Sequence, residues 1–248
     1  MKYLIGDIGN TSTKICIMSR KFKILRSYNF DTSKMNKNNI LKKIIRKKTN
    51  KNINSVFLFS SVVPNVFMNI KKNLKSTKFK ILEIKNLKFN KIIKINIKNK
   101  KNLGSDRIAN AIGAKKFKNC LIIDFGTATT FDVIKNGIYE GGVIAPGVNL
   151  SIKNLSQETA LLPIINLRSN QKSYGKNTIE ALNAGFVWGY EGLLNNIIDK
   201  IISRSKIKYK ILLTGGYANF FNKIIKKKVV IDQDITIKGI ANAYKELI

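Results

Sequence analysis

A short apolar run that ends on an acid and turns at once through a glycine occurs twice in this chain, and no other feature restricts the fold as strongly. Residues 3–5 (YLI) lead into Asp7-Ile8-Gly9-Asn10-Thr11, after which residues 14–18 (KICIM) resume an extended apolar run. Residues 120–123 (CLII) lead into Asp124-Phe125-Gly126-Thr127-Ala128-Thr129-Thr130, and residues 131–134 resume in the same way. Each copy reads as a strand, a tight turn and a second strand. The expectation is an α/β protein with two domains of like architecture, each opening on the same hairpin. With 248 residues the chain is long enough for two cores of roughly 120 residues each.

The remaining elements follow from periodicity. An amphipathic helix is expected over residues 40–47, and a strand over residues 93–97, where apolar residues alternate with Lys and Asn. A helix over residues 108–116 starts at Gly104-Ser105-Asp106-Arg107. A long helix over residues 178–203 carries Ile179, Leu182, Phe186, Tyr190, Leu193, Ile197 and Ile201 at intervals of three and four. Another of its stripes bears Ala181, Gly185, Gly189 and Gly192, and glycines inside a helix ask for compensation, such as close packing of a second helix. Residues 141–147 (GGVIAPG) read as a buried loop, residues 211–216 as a strand entering a Gly-Gly turn, and residues 237–248 as a final helix.

Composition narrows the chemistry by exclusion. The chain contains no histidine, which removes Ser-His-Asp and Cys-His nucleophile systems, histidine zinc sites and imidazole acid-base catalysis. Carboxylates must do that work. There are 46 Lys+Arg against 14 Asp+Glu, a formal charge of +32 spread along the whole chain, so the basicity does not mark one patch. The two cysteines, Cys16 and Cys120, lie in apolar strand-like runs and suit buried free thiols in a reducing compartment. Without a secretory segment or a long apolar span, the expectation is a soluble cytoplasmic protein that uses no membrane.

In the first turn, Gly9 allows backbone that a Cβ would obstruct, and the amides and hydroxyl there can cradle a phosphate; the same pattern also describes an ordinary hairpin turn. Asp7, at the carboxyl end of a strand, is placed to hold Mg²⁺ or its waters. The second turn is richer, with Asp124, Asp132 and three threonine hydroxyls. Two such loops facing each other across a cleft would grip a nucleoside triphosphate from both sides. Asp106 reads either as a helix cap or as a carboxylate that accepts a substrate hydroxyl proton. Only six basic residues are Arg, and Arg107 beside Asp106 has the fork that clamps a carboxylate.

Taken together, DIGNTSTK (7–14), GSDR (104–107), DFGTATTFD (124–132), GGVIAPG (141–147), TALLP (159–163), GKNT (175–178) and LLTGG (212–216) resemble, in order and spacing, the type III pantothenate kinases. The resemblance runs across almost the whole chain. It implies two ribonuclease H-like domains of the actin-like ATPase superfamily with a nucleotide cleft between them, expected over residues 1–113 and 114–248. It further implies phosphorylation of pantothenate to 4'-phosphopantothenate, the first step of coenzyme A synthesis, with ATP, Mg²⁺ and a monovalent cation, potassium or ammonium, in a homodimer. On this resemblance Asp7, Ile8, Gly9, Asn10, Thr11, Ser12, Thr13, Lys14 and Thr127 contact ATP. Gly104, Ser105, Asp106, Arg107 and Thr178 contact pantothenate, Asp106 accepts the proton, and Asp124 holds the monovalent cation. Family members often carry a Tyr and an Asn-Pro pair before the GxDR motif, whereas residues 97–102 here read IKNKKN. The alternative is a nucleic-acid-binding or regulatory relative of the family. No helix-turn-helix, zinc or RNP-type signature supports that, so no specific nucleic acid is expected as a partner.

Overall fold

The structure is a computed structural model describing residues 1–35, 41, 44–45, 53–169 and 173–248. The chain forms two compact units: Met1–Lys116 with Gly137–Tyr139 and Asp234–Ile248, and Phe117–Asn136 with Glu140–Gln233. The first unit therefore takes back the chain terminus, where a single cut after residue 113 was expected.

In the first unit, β1 (Lys2–Ile8), β2 (Ser12–Met18) and β3 (Ile24–Asp31) form an antiparallel meander, which ends in the single turn α1 (Thr32–Met35). β4 (Ile53–Ser61) pairs parallel with β1, and β5 (Lys80–Glu83) pairs parallel with β4, giving the order β3-β2-β1-β4-β5. Successive residues of β1 and β2 are buried, as expected of central strands covered on both faces. Leu4, Ile8, Ile15, Ile17, Phe57 and Phe59 share a core with Val66, Phe67, Ile70 and Leu74 of α2 (Pro64–Leu74). Pro64 opens that helix, where a missing amide costs nothing and its fixed φ is already helical. Of the helix expected over residues 40–47, only Leu41, Ile44 and Ile45 are described; Leu41 and Ile44 are buried in the same core, and the rest lies outside the described residues. α3 runs over Ser105–Gly113, three residues ahead of its expected start.

The second unit repeats the plan. β7 (Cys120–Phe125) and β8 (Ala128–Lys135) form the antiparallel hairpin, and β9 (Ile138–Pro146) lies beside β8. After α4 (Val148–Gln157) and α5 (Thr178–Ser205), β10 (Lys210–Gly215) pairs parallel with β7. The short α6 (Ala218–Phe221) leads to β11 (Val229–Ile231), parallel with β10. Five of the six strands of this sheet, in the order β9-β8-β7-β10-β11, reproduce the order of the first sheet. Phe125, Phe131, Tyr190, Leu194, Leu213 and Phe221 fill its core, where the Phe125 and Phe221 rings stack at 5.3 Å.

The final helix, α7 (Ile235–Leu247), belongs to the first unit and crosses α3 closely. A Cβ on Gly239 would overlap the Ala109 carbonyl, and one on Gly113 would overlap that of Ile235, so the crossing needs both glycines. Tyr244 Oη donates to the Val56 carbonyl at 2.9 Å, and Thr236 Oγ1 to Asn110 Oδ1 at 2.7 Å.

Three expectations need correction. Residues 141–146 form part of strand β9, and only Gly147 leaves it, as the N-cap of α4; sheet pairing accounts for the uncharged run that read as a loop. The strand over 93–97 shrinks to β6 (Lys94–Ile95), paired with Ile138 and Tyr139, because the chain enters a bend after Asn96 donates to the Tyr139 carbonyl. In α5 the fully buried residues are Asn183, Ala184, Val187, Tyr190, Leu194 and Ile198; of the expected positions Tyr190 is among them, Leu182, Phe186, Leu193, Ile197 and Ile201 pack against the core in part, and Ile179 is 57% exposed. The doublets at 193–194, 197–198 and 201–202 make that helix apolar on neighbouring faces, so spacing alone could not select one.

Candidate active site

In the first unit, the β1–β2 turn is closed by the Gly9 amide donating to the Ser12 carbonyl at 3.0 Å, with Asp7 opposite Lys14 and Ile8 opposite Thr13. Asn10, Thr11 and Ser12 are exposed at its tip, and Asp7 and Lys14 are half-buried. Ile8 and Thr13 are fully buried, so Ile8 can offer a ligand only its backbone. The turn is held from behind by Thr32. Its hydroxyl donates to the Gly9 carbonyl at 2.7 Å and accepts from Thr13 Oγ1 at 2.9 Å, and its amide donates to the Thr11 carbonyl. Lys14 Nζ donates to Asp234 Oδ1 at 2.6 Å, which ties the hairpin to the start of α7.

The GSDR segment lies beside this hairpin. The Val62 amide donates to the Ile8 carbonyl at the end of β1, and Val62 Cγ1 would stand 3.7 Å from a Cβ on Gly104. Gly104 has a more specific reason to be glycine: its Cβ would fall on Asp106 Oδ1, so the missing side chain leaves room for the carboxylate. Ser105 is buried and donates to Glu83 Oε1 at 2.6 Å, anchoring the first turn of α3 to the end of β5. The Arg107 amide donates to Asp106 Oδ1 at 2.7 Å, and the Arg107 guanidinium lies 5.9 Å from the centre of the buried Tyr139 ring.

A helix N-terminus by itself tends to keep the pKa of a carboxylate such as Asp106 low. Withdrawal from water dominates instead and raises it above the ordinary carboxylate value, against the lowering effects of the Arg107 amide and charge. A raised pKa makes this carboxylate a stronger proton acceptor.

In the second unit the turn is closed by the Gly126 amide donating to the Ala128 carbonyl at 3.0 Å, with Gly126 and Thr127 exposed. Two later segments converge on it through glycine. A Cβ on Gly147 would overlap the Thr127 carbonyl. Gly215, at φ 85°, would place its Cβ 2.7 Å from Asp124 Oδ1, and the Gly216 amide donates to the Phe125 carbonyl at 3.0 Å. Thus the DFGTATTFD, GGVIAPG and LLTGG segments meet around Asp124 and Thr127. Thr178 lies elsewhere in this unit, on the first turn of α5, where the Asn177 side chain accepts from the Glu180 amide. It borders an apolar hollow of about 450 Å³ with Leu155, Leu162 and Phe186.

Thr32, Glu83, Tyr139 and Asp234 support these segments and did not stand out in the sequence. For Glu83 and Asp234 a signal existed, since acids number only 14 in this chain. Among the described residues, no group of three or more Cys, Asp or Glu gathers as a metal cluster. Cys16 and Cys120 are free and buried, and burial pushes the Cys120 thiol up to about 12, which makes it inert. No helix among the described residues is long and apolar enough to cross a membrane.

Two α/β units with one strand order, each opening on an acid-glycine hairpin, define a two-domain protein of the actin-like kinase and ATPase fold. Solved structures share it: a putative Baf family transcriptional activator from Campylobacter jejuni (TM-score 0.65, 20% identity, 98% of each chain covered) and a putative 2-dehydro-3-deoxygalactonokinase from Sinorhizobium meliloti (TM-score 0.63, 10% identity, 98% of this chain and 96% of that one). At such identities the likeness speaks for the fold alone. The particular family comes from sequence: the type III pantothenate kinase family model matches residues 3–200. A type III pantothenate kinase of Pelagibacter ubique is 46% identical over 243 residues, covering 97% of both chains. The chain belongs to the type III pantothenate kinase family.

Proposed function

We propose that the chain transfers the γ-phosphoryl group of ATP to the terminal hydroxyl of pantothenate, with Asp106 accepting the hydroxyl proton. The observation that carries the assignment is the Asp106 carboxylate, held at the first turn of α3 in a space that Gly104 leaves open, with its pKa raised by burial. Phosphoryl-transfer transition states are loose, so positioning and charge neutralisation contribute more than strong base catalysis. Asp7, Ile8, Gly9, Asn10, Thr11, Ser12, Thr13, Lys14 and Thr127 are the ATP-binding residues in this reading. Exposed Asn10, Thr11, Ser12 and Thr127 suit it directly, and Thr13 serves by fixing the turn through Thr32. Gly104, Ser105, Asp106, Arg107 and Thr178 receive pantothenate, with Arg107 placed to pair with its carboxylate.

Cations complete the proposal. Asp7 would hold Mg²⁺, which supplies charge neutralisation on the phosphates. Asp124 would hold potassium or ammonium: one carboxylate near the Phe125 carbonyl, in a space that a Cβ on Gly215 would fill, suits a weakly bound monovalent ion. The assembly would be a cytoplasmic homodimer built on α5. Gly185, Gly189 and Gly192 form an exposed track where an added Cβ meets nothing within 4 Å, and Trp188 and Ile179 stand exposed on the same helix. Gly185→Leu should shift the mass seen by light scattering from dimer towards monomer; an unchanged mass rejects this face. The deciding test of the activity is a reaction with pantothenate, ATP, Mg²⁺ and potassium, read by mass spectrometry. Formation of 4'-phosphopantothenate is expected, and its absence at millimolar ATP with either monovalent cation rejects the reading.

A further inference from the structure

The first unit has a hollow of about 720 Å³ between the β2–β3 turn and α7. Arg20, Lys21 and Lys23 line one wall, and Lys238 and Lys245 the other. Met18, Ile237 and Ala241, all buried, lie among the apolar lining residues. No carboxylate is among the eleven lining residues; Glu246, the nearest acid in sequence on α7, pairs with Lys115. The general basicity of the chain does not account for this. Lys and Arg make up about one residue in five of the whole but five of eleven here, and the apolar hollow beside Thr178 has none.

The turn that carries three of these cations is fixed. The Phe22 amide donates to the Ser19 carbonyl at 2.9 Å and the Ser19 amide to that of Lys23 at 2.8 Å, a hairpin whose fourth residue adopts a left-handed conformation, φ 56°. Glycine or asparagine is favoured at such a position, and phenylalanine there costs on the order of 1 kcal/mol. Its ring offsets that cost by stacking on Tyr3 at 4.6 Å and packing against Tyr244 at 5.8 Å. The backbone that carries these three exposed cations is therefore ordered before any ligand arrives, which lowers the ordering cost of binding. A concave site lined by one sign of charge focuses its field on an anion.

We propose that this hollow binds a linear oligophosphate, two or more linked phosphate groups, at a site separate from the phosphoryl-transfer residues. One phosphate carries about two negative charges at most, so two or more linked phosphates match five cations more closely in charge and offer oxygens to both walls. The volume lies within the range of about 300–1,000 Å³ typical of small-ligand sites, which favours a compact ligand over a nucleic-acid strand.

The probe is inorganic tripolyphosphate, titrated calorimetrically into the full chain at about 0.15 M salt. Arg20→Ala with Lys245→Ala should weaken binding about ten-fold or more, as should the independent pair Lys21→Ala with Lys238→Ala. Lys153→Ala with Lys223→Ala, which removes the same charge from the second unit, should change it less than about two-fold. ATP-dependent turnover should be retained in all three, which shows that each is folded. Equal weakening by all pairs means bulk charge, and no difference from the parent places the probe in the nucleotide site; either result overturns the proposal. So do inorganic phosphate binding as tightly as tripolyphosphate, or a single-stranded oligonucleotide showing the variant pattern while tripolyphosphate does not.

Discussion

The hairpins that open the two sheets differ in what surrounds their turns. Side chains lock the first: Thr32 bonds to the Gly9 carbonyl and to Thr13, and Lys14 bonds to Asp234. Backbone crowds the second: Gly147 approaches the Thr127 carbonyl and Gly215 approaches Asp124 and Phe125, both at distances a side chain would forbid. A repeated topology places a loop at the same point of each sheet, and the segments packed behind it decide what that loop presents. The first unit gathers charge, in Asp7, Lys14, Asp106 and Arg107. The second gathers amides and carbonyls around Asp124.

The comparison predicts its largest effect at the charged end. Asp106→Asn should lower kcat about 10²- to 10⁴-fold, the usual contribution of a general base. The same change should raise the melting temperature. A carboxyl whose folded pKa lies above its unfolded value is charged at a cost when folded, so it detracts from stability above the folded pKa, and the penalty vanishes below the unfolded one. For the same reason kcat/KM of the parent should fall with acid at a pH above the ordinary carboxylate range. Near-parent turnover in a folded variant would make Asp106 a cap, and the charged character of the first unit would then be structural.

Gly215→Ala tests the backbone end. A left-handed φ and a Cβ pressed on the Phe125 carbonyl should together cost roughly 2–4 kcal/mol of stability. A variant as stable as the parent in denaturant melts would show that the second hairpin is not crowded as described. Next comes Asp124→Ala, which should raise the potassium concentration for half-activation about ten-fold or more while leaving the Mg²⁺ dependence within about two-fold, since one ligand charge is removed from a weak site. Parallel shifts in both titrations would detach the monovalent ion from the second unit.

Much of this was legible in the sequence because the hairpins are local. An acid, a glycine and flanking apolar runs lie within a dozen residues, and they yielded both opening hairpins and the helix that Asp106 starts. What escaped depends on distance along the chain. Asp234 reaches Lys14 and Tyr139 meets Arg107 only after folding, and no spacing rule couples them. Two glycine assignments show the same limit. Gly9 could be read as a turn residue from its neighbours, whereas Gly215 is glycine because of Asp124 and Phe125, which belong to another strand. On α5 the expected positions Leu182, Phe186, Tyr190, Leu193, Ile197 and Ile201 do face the core, but its apolar doublets satisfy two registers, and only the packed sheet selects which member of each is fully buried.

The smallest effect expected is also the one that isolates the first hairpin's lock. Thr32→Val keeps the shape of the side chain and removes the hydroxyl that accepts from Thr13 and donates to the Gly9 carbonyl. Thr13 is fully buried, so its hydroxyl loses a partner, whereas Gly9 is half-buried, and water can replace the bond to its carbonyl. The net loss should be about 1 kcal/mol. Because the loosened element is the turn of residues 9–12, the KM for ATP should rise a few-fold while kcat and the KM for pantothenate stay near the parent. An equal rise in both KM values would mean that Thr32 supports the whole unit. No change in either would mean that the ion pair of Lys14 with Asp234 holds the turn without help, and Lys14→Met, which keeps most of the side-chain length, would then carry the ATP effect alone.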